Sequence, residues 1–129
     1  TLSLELIKYL PLNTIHIDGD DLRLIFDNKD YSETGRRKNI ERAQDIALFL
    51  KRKGIHVVVS LVSPFKDQRD NFKKISDCIE IYVHTTETRG KENYHVKDYE
   101  PPTEGYIDID TTNMSIEEST NKLLNYIFL

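Results

Sequence analysis

The sequence predicts an α/β domain built on a mostly parallel sheet, on three observations. Apolar, strand-like runs alternate with stretches of helical periodicity along the 129 residues, the pattern of β–α units joined by right-handed crossovers. Ile55-His56-Val57-Val58-Val59-Ser60-Leu61-Val62 is β-branched nearly throughout, as in a strand buried on both faces. Thr14-Ile15-His16-Ile17 runs into Asp18-Gly19-Asp20-Asp21-Leu22-Arg23. That places carboxylates just beyond a strand's carboxyl end, where open parallel sheets bind ligands.

Each element follows in order. Leu2, Leu4, Leu6, Ile7 and Leu10 form a short apolar helical face that stops before Pro11, since the residue ahead of a proline avoids the helical region. The first strand is expected at Thr14–Ile17. A helix from Asp20 to Phe26 follows it, capped by Asp20 or Asp21 and turning Arg23 inward. Residues 27–35 read as a polar loop with one aromatic, Tyr31. The strongest helix spans Arg36–Lys53. Ile40, Ala43, Ile46, Ala47, Phe49 and Leu50 recur at helical spacing, and Gly54 ends it. After the β-branched strand, Ser63-Pro64-Phe65 breaks the chain and a charged helix runs to Ile75. Cys78–His84 is a further strand, residues 85–103 are irregular, and Tyr106–Ile109 is the last strand. Ser115–Leu129 is an amphipathic helix with Ile116, Leu123, Leu124 and Ile127 inward.

Composition narrows the function classes. The net charge is −4, with both signs abundant, so no general nucleic-acid or membrane-surface footprint is expected. Cys78 is the single cysteine. That excludes a disulfide framework and a thiolate metal cluster and fits a reducing, cytoplasmic compartment. No apolar run approaches a membrane span, and no signal peptide is read.

Nearly every conspicuous polar group falls beyond a strand's carboxyl end. Asp18 and Asp20 follow the first strand, Ser63 the central one, with Arg69 and Asp70 on the next helix. Arg36 and Asn39 lie one turn apart on the long helix. Carboxylates hold Mg²⁺ or orient a hydroxyl, and arginines grip anions; together they are the parts of a phosphoryl-transfer site. Tyr31 and Tyr94 are candidates to stack on a base. A histidine metal site is the weaker reading, because His16, His56, His84 and His95 lack ligand spacing. Ser63 has no evident base to make it a nucleophile.

Taken together these motifs resemble the adenylylsulfate kinase family of P-loop kinases. Ile17-Asp18-Gly19-Asp20-Asp21-Leu22-Arg23 is similar to the family's Leu-Asp-Gly-Asp-Asn-x-Arg. Tyr31-Ser32, Arg36, Asn39-Ile40 and Arg42 resemble its Phe-Ser-x-x-Asp-Arg-x-x-Asn-Ile-Arg-Arg. Val62-Ser63-Pro64-Phe65 with Arg69-Asp70 resembles its Ile-Ser-Pro-Tyr followed by Asp-Arg-Asp. Tyr99-Glu100-Pro101-Pro102 and Ile109-Asp110-Thr111-Thr112 resemble its closing segment.

The resemblance implies a three-layer P-loop kinase fold, with residues 1–129 as one kinase-like domain and 85–103 as its lid and nucleotide-base loop. It implies transfer of a phosphoryl group from ATP, with Mg²⁺, to the 3′-hydroxyl of adenylylsulfate. Asp18 would act on Mg²⁺ and the acceptor hydroxyl, and Ser63 would stand near the transferred phosphate. Asp20, Arg23, Tyr31, Arg36, Asn39, Phe65 and Tyr94 would bind the acceptor nucleotide. Thr1, Arg69, Arg89, Tyr99 and Pro101 would bind ATP. A homodimer is the assembly the family suggests.

The chain also departs from the family pattern. Gly35 stands where the family has Asp, the loop before Tyr31 is one residue short, and Arg89–Val96 replaces a longer lid. The short lid keeps another acceptor open, such as cytidine diphosphoramidate. The family's Gly-x-x-x-x-Gly-Lys-Ser-Thr loop would precede Leu2, with Thr1 as its last residue. The expectation is that this loop and its strand precede these 129 residues in a longer protein; without them, a non-catalytic nucleotide-binding module is the alternative.

Overall fold

The structure is a computed structural model that describes residues 2–86 and 99–128. Helix α1 (Leu2–Ile7) precedes strand β1 (Thr14–Asp18) and helix α2 (Gly19–Ile25). Helix α3 (Glu33–Arg52), strand β2 (His56–Ser60) and helix α4 (Lys66–Ser76) follow. Strand β3 (Glu80–His84), strand β4 (Tyr106–Asp110) and helix α5 (Ile116–Ile127) complete the fold. This is the alternating α/β order expected.

β1 and β2 pair in parallel, Asp18 opposite Ser60, and β3 and β4 pair in parallel, Glu80 opposite Tyr106. Among the described residues the two pairs remain separate two-stranded sheets, where periodicity suggested one continuous sheet. The expectation that β2 is buried on both faces also fails: His56 and Val59 are exposed, and Leu61 and Val62 lie outside the strand.

Each sheet carries its own core. Ile17 of β1 and Leu22 of α2 meet Ala43 and Ala47 of α3, with Val57, Leu61 and Phe72 packed against them. Leu6 of α1 meets Ile109 of β4 and Leu123 of α5, with Ile81, Ile107 and Leu124 around them. The alternation in β1 sends Ile17 toward α3 and His16 to the other face, where its Nε2 is hydrogen-bonded to Ser60 Oγ at 2.8 Å. Ser60 Oγ is also hydrogen-bonded to Ser3 of α1, so helices flank both faces of this sheet.

Element boundaries have local causes. Ser32 caps α3, its Oγ accepting from Gly35 N–H at 3.4 Å, which starts that helix three residues before the expected Arg36. Gly54, at φ +79°, takes the left-handed conformation that ends it. Ser115 and Glu118 form a reciprocal capping box on α5. Two residues expected inward are not. Phe49 is 61% exposed, with the Lys53 ammonium 5.5 Å from its ring centre, and Ile116 is 51% exposed in the first turn of α5. Polar Ser119 and Thr120 are buried beside Leu123 instead. Thr120 Oγ1 donates back to Ile116 O at 2.7 Å, which removes the cost of burying its hydroxyl.

Candidate active site

Asp18 ends β1 and is itself the N-cap residue of α2, with extended backbone and no side-chain cap bond. The expectation that Asp20 or Asp21 caps this helix is thereby corrected: the helix begins at Gly19, leaving both acids in its first, exposed turn. The Asp18 carboxylate has no hydrogen-bond or ion-pair partner among the described residues, and it is only half-buried.

Gly19 is wedged where the two strands end. A Cβ there would lie 2.7 Å from Leu61 Cδ2 and 3.6 Å from both Asn39 Nδ2 and Ser60 O. Asn39 is 6% exposed and its Nδ2 donates to Gly19 O at 3.3 Å. Its Oδ1 is buried and has no partner among the described residues. Asn39 therefore holds the Asp18-Gly19-Asp20 turn against α3. One turn earlier on the same helix, Arg36 is half-buried, and its guanidinium has no partner among the described residues.

Arg23 does not turn inward. Its guanidinium lies 4.1 Å from the centre of the Tyr31 ring, and its Nη1 donates to Asn28 O, Asn28 Oδ1 and Asp30 O. Arg23 and Tyr31 thus come together as a unit that orders the 28–31 loop. The Asp30 carboxylate, held by Ser32, titrates below the usual carboxylate range.

Ser63 sits in the turn after β2 at φ +43°, a left-handed conformation rare for a residue with a side chain. Its carbonyl accepts from Arg69 Nη1 at 2.7 Å. Arg69 Nε donates to Glu80 Oε2 at 2.8 Å, its Nη2 donates to Glu100 O, and its guanidinium lies 5.3 Å from the Tyr99 ring centre. Glu100 closes the same unit. Its N–H donates to Pro64 O at 3.0 Å, and its carboxylate accepts from Lys66 N–H at 2.8 Å, capping α4 from a distant part of the chain. The Tyr99 ring stacks on Tyr82 at 5.7 Å, and burial pushes its phenol up against the pull of Arg69. Pro101 is exposed. Phe65 lies under Arg37, whose guanidinium is 4.1 Å from the ring centre and also pairs with Asp67 and Glu33.

The structure therefore joins Asn39 to the Asp18 turn, Arg23 to Tyr31, and Ser63, Arg69 and Tyr99 to one another. Thr1, Arg89 and Tyr94 lie outside the described residues. Sequence reasoning missed Glu80 and Arg37, and it named Glu100 only as part of the closing motif. Glu80, an acid opening an otherwise apolar strand, was the one readable signal. Among the described residues, no group of three or more His, Cys, Asp or Glu side chains is gathered to hold a metal. No described helix is long and apolar enough to cross a membrane.

Comparison with known proteins agrees with the motifs. The chain is 30% identical over 140 positions to an adenylyl-sulfate kinase of Oceanobacillus iheyensis, covering 92% of this chain and 70% of that protein. It is 32% identical over 137 positions to an adenylyl-sulfate kinase of Pseudomonas aeruginosa, covering 89% and 70% respectively. It spans about two thirds of the length of other curated relatives. The fold superposes on a Mycobacterium tuberculosis APS kinase solved in complex with AMPPNP and APS. The TM-score is 0.74 at 16% identity, over 98% of this chain and 86% of that one. The family model for adenylylsulphate kinase matches residues 1–115, and the chain belongs to that family.

Proposed function

We propose that this chain forms part of an ATP-dependent kinase that phosphorylates the 3′-hydroxyl of adenylylsulfate, giving 3′-phosphoadenylylsulfate and ADP. Family membership and the 30–32% identical adenylyl-sulfate kinases support the reaction class and the acceptor. The observation that carries the reading is the Asp18 carboxylate at the end of β1, without a partner among the described residues, with Arg36, likewise unpartnered among them, one turn from the asparagine that holds its turn.

A single free carboxylate suits Mg²⁺, which is commonly held by one or two carboxylates together with substrate phosphates. Asp18 would hold it, and when bound the ion would neutralise charge on the phosphates. Asp18 also stands ready to accept the proton of the acceptor hydroxyl, because no protein donor competes for its oxygens among the described residues. Arg36 would grip the acceptor's anionic end bidentately. Asn39 fixes where Asp18 points, and the Arg23–Tyr31 unit offers an aromatic face for the acceptor base.

The test is coupled detection of ADP from the full-length protein with ATP, Mg²⁺ and adenylylsulfate. Turnover is expected only with all three present, and Asp18→Asn is expected to lower it by about a hundredfold or more. No acceptor-dependent ADP, or a fully active Asp18→Asn variant, would overturn the assignment. The cytidine acceptor is tested in the same assay.

A further inference from the structure

Arg69 is largely buried, its side chain 10% exposed, and so is the Glu80 it pairs with at 11%. Its contacts run in three directions. One is the carbonyl of Ser63, in the strained turn after β2. The second is the first residue of β3, Glu80. The third is Tyr99 and the carbonyl of Glu100. Lys73 shares the same carboxylate, its ammonium 2.6 Å from the other Glu80 oxygen. Two further bonds join the same pieces without Arg69: Glu100 N–H to Pro64 O, and Lys66 N–H to the Glu100 carboxylate.

Planar guanidinium geometry is what this junction requires. A lysine supplies its three donors from a single nitrogen and cannot span the separated acceptors that Arg69 Nε, Nη1 and Nη2 each reach from a different atom of the fork. An isolated left-handed serine is strained and persists only where surroundings hold it. Here the surroundings are Arg69 and Glu100.

We propose that Arg69 is a positioning residue of the phosphoryl-transfer site: it fixes the Ser63 turn by clasping it to Tyr99-Glu100 and does not itself touch ATP. Its effect on transfer rests on the kinase reading above; the clasp does not. Loosening the clasp lets the Ser63 backbone leave the left-handed conformation, which moves the groups nearest the phosphate without removing any of them.

The experiment compares the full-length protein with Arg69→Lys and Arg69→Met. Hydrogen exchange reads the amides of Lys66 and Glu100 against those of the β1–β2 ladder. In Arg69→Lys both clasp amides are expected to exchange about tenfold faster, with the ladder unchanged. The turnover number with ATP and adenylylsulfate is expected to fall about tenfold or more while KM for ATP stays within about twofold. Unchanged protection of the clasp amides overturns the proposal. So does a raised KM for ATP at unchanged turnover number, which marks a direct ATP ligand. Uniformly faster exchange across the chain in both variants also overturns it, leaving Arg69 a role in stability alone. If the unmodified protein shows no kinase turnover, the functional reading fails, and the exchange data still decide whether the clasp exists.

Discussion

Asp30 occupies the space that a side chain on Gly35 would need. A Cβ at Gly35 would lie 2.1 Å from Asp30 O and 2.5 Å from the Asp30 Cβ and Cγ atoms. The Asn28 amide donates to Gly35 O at 3.0 Å and draws the loop in from the same side. The two departures read from the resemblance, the short loop before Tyr31 and Gly35, meet at this one contact. The loop crosses tightly over the first turn of α3, and only glycine fits beneath it.

Gly35→Asp, the residue that the resemblance to the family would put here, is therefore expected to destabilise the protein. Clash with backbone cannot be relieved by a rotamer change, and overpacking of this kind costs about 1–3 kcal/mol or more. Even Gly35→Ala, worth about 1 kcal/mol of gain in an open helix, is expected to lower stability here. Urea unfolding reads both variants; a gain from Gly35→Ala would show that the loop is slack.

Asn39→Leu removes the amide bond that ties Gly19 O, the first carbonyl inside α2, to α3. Loss of about 0.5–1.5 kcal/mol is expected. Weaker acceptor binding is expected as well, because the turn carrying Asp18 is released. Denaturant midpoints and KM for the acceptor, measured on the same preparation, separate the two effects.

Ser63 carries a conformational cost that depends on its Cβ. Ser63→Val puts a β-branched side chain at φ +43° and is expected to lose about 1–3 kcal/mol. Ser63→Gly is expected to keep stability within about 1 kcal/mol of the parent. If valine is tolerated as well as glycine, the turn is not strained.

Stability is expected to decline in acid. The carboxyls of Asp30, Asp67, Asp70 and Asp110 are all held below the usual range, mainly by hydrogen bonds to Ser32, Arg37, Lys66 and Thr112 respectively. A depressed folded pKa contributes stability above the unfolded value of about 3.9 and loses it as pH falls through the folded value. The groups are solvent-exposed, so the effect is small for each. Unfolding curves at neutral pH and below pH ~4 should diverge less in Asp67→Asn than in the parent.

Much of the fold was legible because its causes are local. The strand ending in Asp18, the helix through Ala43 and Ala47 and the alternation of elements all follow from periodicity over short windows. What escaped depends on contacts between distant segments. Glu100 caps α4 although 34 positions separate it from Lys66, and nothing in either neighbourhood announces the bond. Phe49 fits the helical spacing of the core yet faces solvent, because the small Ala43 and Ala47 bring the sheet in on the neighbouring stripe. The motifs singled out candidate residues but could not show which of them the fold ties down. Arg23 and Arg69 are anchored to backbone carbonyls, and among the described residues Arg36 is the one of the three that is free.

The two separate cores also dictate an order of assembly on the ribosome. The partners of Ile17 and Leu22 lie between Ala43 and Phe72, so the first half of the molecule can close while the remainder is still being translated. Leu6 is made earlier than any of them, but its partners Ile109 and Leu123 lie far downstream, in β4 and α5. The nascent chain must therefore hold α1 uncovered until β4 and α5 have been made, and that helix is the segment most in need of a chaperone's attention.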